Sequence, residues 1–435
     1  MDKAFYITAN ELAEKGWKNT PDELLSAEHL IYSSPATLAF NSPGAQGFGV
    51  KRAGLAIPDS VMLLVAPACC GRNTAMLSSL GYSERFFYLL LDDTDIVTGR
   101  HLGKIPEAVK EICESFEKRP SAVMICITCV DALLGTDMER VCRKCEEYAD
   151  VPTVPCYMYA LTREKKLPPM ASVRNSVYSL LKPQKRRSDE INIMGFFSKL
   201  SDSCELYEML KKAGIKKIRE IAGCKTFEEY SEMSRANFSL VLNAEARYAA
   251  QEMEKRLGIP SIELVRMYQT DKIHNQYKLL GKAIGAELDD EKYYIRAKET
   301  IGRFYDKYGE VTFSVGECVN ADPFELSLAL VKYGFKVAEI FGTVTERNFT
   351  FVKRLSESSP ETKIYSNLSP TMMWYKNDNS VDMCIGMDAL YYHQGLVGVE
   401  FNEEIQPFGY DGVISLFEKL DTVASEKCKK EESAK

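Results

Sequence analysis

Short unbroken apolar runs alternate with amphipathic stretches along most of the chain. SVMLLVAP from Ser60, RFFYLLLDD from Arg85 and SAVMICITC from Ser121 have the length and continuous apolarity of strands buried on both faces. KIPEAVKEICESFEK from Lys104 carries its apolar residues at helical spacing. This alternation predicts α/β layers built on parallel sheets. A basic, proline-containing stretch from Arg163 to Glu190 interrupts the pattern, and KPQKRRSDE within it reads as a solvated connection between domains.

Two later segments repeat each other: INIMGFFSKLSDSCELYEMLKKAGIK from Ile191 and VTFSVGECVNADPFELSLALVKYGFK from Val311. Each has a strand ending in glycine (Gly195, Gly316), a loop, then an aspartate (Asp202, Asp322), with Glu205 or Glu325 three residues on. The Asp and Glu predict a capping box at a helix start, and Gly214 and Gly334 predict left-handed helix ends. Each repeat therefore opens a βα domain. The expected fold is α/β, with three doubly wound, Rossmann-like parallel-sheet domains around a central cleft. Residues 1–185 form the first domain, 190–305 the second and 306–425 the third, and 426–435 form a frayed polar tail. Ligands of such sheets sit beyond the carboxyl ends of the strands, which selects the loop after Gly195, Asn243 and Cys318 as candidate pocket positions.

Composition narrows the function. The 435 residues carry a net charge of −7, which argues against non-specific nucleic-acid binding. No apolar run approaches the ~18 residues of a membrane span. MDKAFYITANELAEKG lacks the apolar core of a signal peptide, so a cytoplasmic protein is expected. There is no GxxxxGK[ST] phosphate loop, and GFGVKRAG from Gly47 lacks both the spacing and the preceding strand of a dinucleotide fingerprint. Any ATP would be bound by another chain.

Thirteen cysteines and only four histidines turn attention to thiol chemistry. Cys69 and Cys70 follow directly on SVMLLVAP, and Cys129 ends SAVMICITC. Thiolates at two such strand ends can face one site, although buried structural thiols would look the same in sequence. Cys126, Cys129, Cys142 and Cys145 also have the C-x2-C-x12-C-x2-C spacing of a zinc ribbon. Against zinc, Cys126 lies inside an apolar run, and Cys142 and Cys145 lie on the charged helix MERVCRKCEEYAD rather than on turns. Cys113, Cys156, Cys204, Cys224, Cys318 and Cys384 are isolated, and of these Cys318 stands in a loop that would line the pocket.

The stretch NSPGAQGFGVKRAGLAIPDSVMLLVAPACCG from Asn41 resembles the cluster-binding start of nitrogenase component 1 subunits. DDTDIVTGRHLGKIPEAVKEI and SAVMICITCVDALLGTD are similar to the family's next two segments. AGIKKIREIAGCKTFEEY, LNAEARYAAQEMEKRLGIPSIEL and PFGYDGVISLFEKLD continue the likeness in the family's order. The resemblance implies a nitrogenase-like oxidoreductase component 1. Such a protein accepts low-potential electrons from a separate ATP-dependent iron–sulfur reductase and reduces a substrate in the cleft. The family also contains scaffolds and carriers for metal-cofactor assembly.

The resemblance further implies a [4Fe–4S] cluster shared across a dimer, either a homodimer or a pairing with a related component 1 subunit. Cys70 and Cys129 match the second and third cysteines that nitrogenase subunits give their interfacial cluster. The first falls near Ala45, where no cysteine stands, and Cys69 is an extra neighbour. Nitrogenase's molybdenum–iron cofactor is anchored by a cysteine, where this chain has Asn243, and by a histidine, where GLVGVEFNEEIQPFGYDG has none. The resemblance thus points away from dinitrogen reduction. It leaves the cleft open to a second metallocentre or a tetrapyrrole.

Overall fold

The computed structural model describes residues 3–25, 53–68, 81–157, 167–378 and 380–433. The strands are β1 (Ile7–Thr8), β2 (Val61–Ala66), β3 (Phe86–Leu90), β4 (Val123–Ile127), β5 (Thr153–Tyr157), β6 (Glu190–Met194), β7 (Lys217–Glu220), β8 (Phe238–Val241), β9 (Ser261–Glu263), β10 (Thr312–Val315), β11 (Lys336–Phe341), β12 (Lys363–Tyr365), β13 (Met383–Ile385) and β14 (Val397–Val399). They form three sheets, ordered β3-β2-β4-β5, β7-β6-β8-β9 and β1-β12-β11-β10-β13-β14. All pairings are parallel except that of β1 with β12. The α/β class with parallel sheets is therefore as the sequence predicts.

The chain divides into two compact units, one of residues 43–199 and 215–264, the other of 1–42, 200–214 and 265–435. The first unit holds the sheets of β2–β5 and β6–β9. In β2 the pleat sorts side chains between two cores. Val61, Leu63 and Val65 pack with Val109, Ile112, Val141 and Cys145 from helices. Met62, Leu64 and Ala66 join a core shared with Met194 and Val241 of the next sheet. Burial on both faces is what makes this strand read as a continuous apolar run. β3 reads the same way in sequence but is an edge strand, with Tyr88 and Leu90 exposed.

Part of the stretch expected to be a solvated connection is instead a helix, Pro169–Ser179, that buries Val173, Arg174, Val177 and Tyr178. Its Pro169 sits in the first turn, where a missing N–H costs nothing. Residues 182–189 after it carry the solvated character.

The second unit holds the sheet of β1 and β10–β14. The repeats appear as β6 with the helix Glu205–Lys212, and β10 with the helix Pro323–Lys332. Gly214 and Gly334 follow those helices with φ of +92° and +93°. The capping boxes do not form as expected. Asp322 caps its helix, accepting from the Phe324 and Glu325 amides, but Cys204 occupies the other N-cap without a side-chain bond.

Both glutamates reach across the unit to other backbone amides. Glu325 accepts from the N–H groups of Tyr268 and Gln269, just before the helix Thr270–Ile284. Glu205 accepts from those of Tyr410 and Asp411, at the start of the helix Gly409–Ser433. Each repeat's glutamate thus accepts amides at or just before the start of a later or earlier helix rather than the N-cap amide of its own. The helix Gly409–Ser433 also runs through most of the segment expected to fray, because Glu and Lys are good helix formers.

Candidate metal centre

β2 and β4 are neighbours in register, Val65 opposite Ile127, so the segments leaving their carboxyl ends start side by side. From β2 the chain continues through Pro67 and Ala68. Cys69 and Cys70 come next and lie outside the described residues. From β4 it continues through Thr128 into the helix Cys129–Leu134, and the side chain of Cys129 also lies outside the described set.

Two polar side chains near the Cys129 turn are buried. His101 and Asp131 are each 1% exposed. The His101 Nδ1 donates to the carbonyl of Asp95 at 3.1 Å, and its Nε2 lies 3.1 Å from Asp131 Oδ1. The Thr136 hydroxyl donates to the same oxygen at 3.2 Å. Burial pushes the Asp131 carboxyl up from its ordinary range, and His101 pulls it back. Among the described residues two buried atoms here have no partner: Thr128 Oγ1 and Asp131 Oδ2.

The described residues bring together no three His, Cys, Asp or Glu side chains able to hold a metal ion. Cys126 packs in the core shared by the first unit's two sheets, whereas Cys142 and Cys145 pack in the core on the opposite face of β4. Those thiols do not converge, and burial pushes the Cys142 and Cys145 thiols well up. Among the described residues the zinc-ribbon spacing thus brings no three thiols together.

At the end of β6, Gly195 has φ of +133°, and a Cβ there would stand 2.7 Å from the Asn243 amide nitrogen. Asn243 caps the short turn Ala244–Ala246, accepting from the Glu245 amide at 3.0 Å. Arg174, which sequence reasoning missed, donates twice to the Gly195 carbonyl and once to Glu245. Its one signal in sequence was an arginine on the apolar face of MASVRNSVYS.

At the end of β10, a Cβ on Gly316 would stand 2.0 Å from Asp388 Oδ1. The Asp388 carboxylate occupies that space and accepts from the Glu317 and Cys318 amides and from Asn367. Cys318 is buried, and burial with two neighbouring carboxylates pushes its thiol far up. A neutral thiol of this kind is a poor ligand or nucleophile.

The fold is α/β with parallel sheets, and cysteines follow the β2 and β4 strands in sequence. The sequence profile described as Nitrogenase component 1 type Oxidoreductase matches residues 45–424, and the chain belongs to this family. The nitrogenase iron–molybdenum cofactor biosynthesis protein NifE of Nostoc is 27% identical over 216 residues, 48% of this chain and 44% of that protein. NifE of Rhizobium meliloti is 28% identical over 225 residues, 49% of this chain and 47% of its own length. The chain thus spans about half the length of the curated relatives it matches. The solved structure of nitrogenase Cp1 at pH 6.5 superposes with a TM-score of 0.66 at 16% identity, covering 95% of this chain and 96% of that one, a likeness of fold.

The cysteines that follow β2 and β4 in sequence are of the donor type that suits a metal cluster. Soft thiolates suit iron–sulfur ligation, and the two orphaned buried oxygens mark a polar surround rather than an apolar core. Among the described residues no helix is long and apolar enough to cross a membrane.

Proposed function

We propose that this chain is a nitrogenase-like scaffold or carrier on which a metal cofactor is assembled, working as a dimer with itself or with a related component 1 subunit. Cys70 and Cys129 would hold a [4Fe–4S] cluster between the two chains, with Cys69 beside it. The likeness to cofactor biosynthesis proteins carries the reading. The adjacency of the β2 and β4 ends supports the ligand assignment. Asn243 in place of an anchoring cysteine supports a cofactor that is handed on rather than retained, and argues against dinitrogen as a substrate. The test is to load anaerobically purified protein with iron and sulfide, then mix it with an apo acceptor. Transfer of metal without substrate turnover is expected, and a cluster that never leaves the loaded protein overturns the carrier role.

A second reading has one observation in its favour, the oxidoreductase description of the family itself. In it the same cluster relays electrons from an ATP-dependent iron–sulfur reductase to a substrate. Reductase-dependent substrate turnover by the loaded protein would establish it. A cytoplasmic location suits either reading.

A further inference from the structure

We propose that the amino edge of the sheet β7-β6-β8-β9 is a docking surface for an acidic segment of a partner protein. The proposal stands apart from the cluster reading, because it uses neither the cysteines nor the carboxyl ends of the strands.

Each stretch of chain that enters this sheet carries cations. Lys182, Lys185, Arg186 and Arg187 precede β6, Lys216 and Lys217 stand at the start of β7, Arg235 precedes β8 and Arg256 precedes β9. Parallel pairing of the four strands puts all these entries on one edge. Ligands of such sheets gather at the opposite edge, so the fold leaves this one for contacts other than chemistry. Against the chain's net charge of −7, the cations gathered here are a local reversal of sign.

Ion pairs neutralise only part of the edge. Asp189 lies 3.1 Å from Lys216, Glu190 lies 2.6 Å from Arg219, and Glu232 takes both Arg219 and Arg235. Lys182, Lys185, Arg186 and Arg256 are exposed and have no carboxylate partner among the described residues. Arg186 donates to the carbonyl and side-chain oxygens of Asn237, and Arg256 to the carbonyls of Leu181 and Tyr178. These bonds hold the guanidinium groups in place without cancelling their charge.

A run of basic residues is most often a solvated stretch with no fixed shape. This one is pinned. The Arg187 amide donates to the Arg235 carbonyl at 2.8 Å, Gln184 Nε2 donates to the Ser231 carbonyl at 2.8 Å, and Arg235 Nε donates to Gln184 Oε1 at 2.9 Å. A recess of about 680 Å³ lies among them, walled by Lys185, Arg186, Arg187, Ser188 and Arg235. Charges already held in place lose little freedom on binding, and guanidinium forks pair well with carboxylates. A long polyanion such as nucleic acid would run past the patch onto a chain of its own sign. A short carboxylate-bearing segment meets the cations alone. Charge complementarity therefore selects an acidic protein segment as the occupant.

The experiment titrates the full chain into a fluorescein-labelled octaglutamate peptide and reads anisotropy from about 20 to about 300 mM salt. Wild type is expected to bind, ever more weakly as salt rises. Lys182→Glu/Lys185→Glu should weaken binding about 10-fold or more, and Lys182→Ser/Lys185→Ser by a smaller factor. Lys278→Glu/Lys282→Glu, on the exposed side of the helix Thr270–Ile284, changes the net charge equally and should stay within about 2-fold of wild type. Melting temperatures confirm that each variant is folded, and the Ser pair keeps the test if the Glu pair is not. Absence of binding at the lowest salt, or equal losses at the two lysine pairs, overturns the proposal. So does tighter binding of a single-stranded oligonucleotide of equal charge, because the occupant is then nucleic acid. Self-association in gel filtration that Lys182→Glu/Lys185→Glu abolishes overturns it too, because the occupant is then a second copy of the chain.

Discussion

The carboxylate of Glu205 accepts the backbone N–H of Tyr410 at 2.7 Å, across 205 residues of sequence. It also takes the Tyr277 hydroxyl at 2.7 Å and the Asp411 amide at 3.1 Å. Glu205→Ala leaves three buried or half-buried donors without an acceptor, and a loss of about 3 kcal/mol is expected. Glu208→Ala, three residues on at the exposed face, removes surface ion pairs with Lys212 and Lys292 and the bond from the Tyr293 hydroxyl, and should cost far less. Urea unfolding of the two variants checks the contrast, and equal losses would mean the Glu205 contacts contribute nothing special.

Glu325 plays the matching part for Tyr268 and Gln269, and burial pushes its carboxyl from 4.5 up to about 7. A group bound more tightly to its proton in the folded state favours folding below the unfolded value. That contribution is lost as pH rises through the folded value. Between about pH 4.5 and 7, wild type should lose up to about 3 kcal/mol relative to Glu325→Gln, which has nothing to titrate there. Parallel stability curves for the two proteins across that range would refute it.

Gly316 has no room for a side chain, since Asp388 Oδ1 fills the position a Cβ would take. Gly316→Ala should destabilise by about 3 kcal/mol through displacement of that buried carboxylate. Gly103, inside the helix His101–Ser115, meets nothing within 4 Å, so Gly103→Ala should stabilise by about 0.5–1 kcal/mol. Thermal melts of both variants decide, and a tolerated Gly316→Ala would show that Asp388 can move aside.

Anaerobically prepared protein should carry about four irons per dimer. Cys70→Ala or Cys129→Ala should remove most of the iron and bleach the sulfur-to-iron absorption. Cys142→Ala and Cys145→Ala should leave both unchanged, because those thiols are held in an apolar core. The reverse pattern in an iron and zinc analysis would return the ribbon spacing to consideration.

With no phosphate loop in its sequence, the purified chain should neither bind nor hydrolyse Mg·ATP with useful affinity. Calorimetry on the chain alone tests this. Tight binding without a partner would count against a separate ATP-driven reductase in the second reading.

The strands buried on both faces were legible because burial on both faces demands unbroken apolar runs, as in Val61–Ala66 and Val123–Ile127. Helix ends at Gly214 and Gly334 were legible because only glycine readily takes their backbone angles. What escaped were relationships between distant segments. Nothing local in ELYEML or PFELSL says that Glu205 and Glu325 serve amides elsewhere rather than their own helices. Arg174 was hidden in the same way, since its partners, Gly195 and Glu245, lie in segments brought together by the β6 and β8 pairing. For the candidate site, Cys69, Cys70 and the side chain of Cys129 lie outside the described residues, while the strand ends were readable from position. The His101–Asp131 pair, joining two helices 30 residues apart, was not.

The edge strand β1 pairs Ile7 with Ile364 and Thr8 with Lys363. During synthesis, then, β1 must wait until β12 has been made before it finds its sheet. At about 5–20 residues per second the delay is roughly 20 to 70 s. Sheets β2–β5 and β6–β9 have all their strands long before that, so half of the molecule can fold while the opening segment is still unclaimed. A stretch left open so long is a natural handle for a chaperone. It also means that the third sheet cannot take in this strand until β12 exists to receive it.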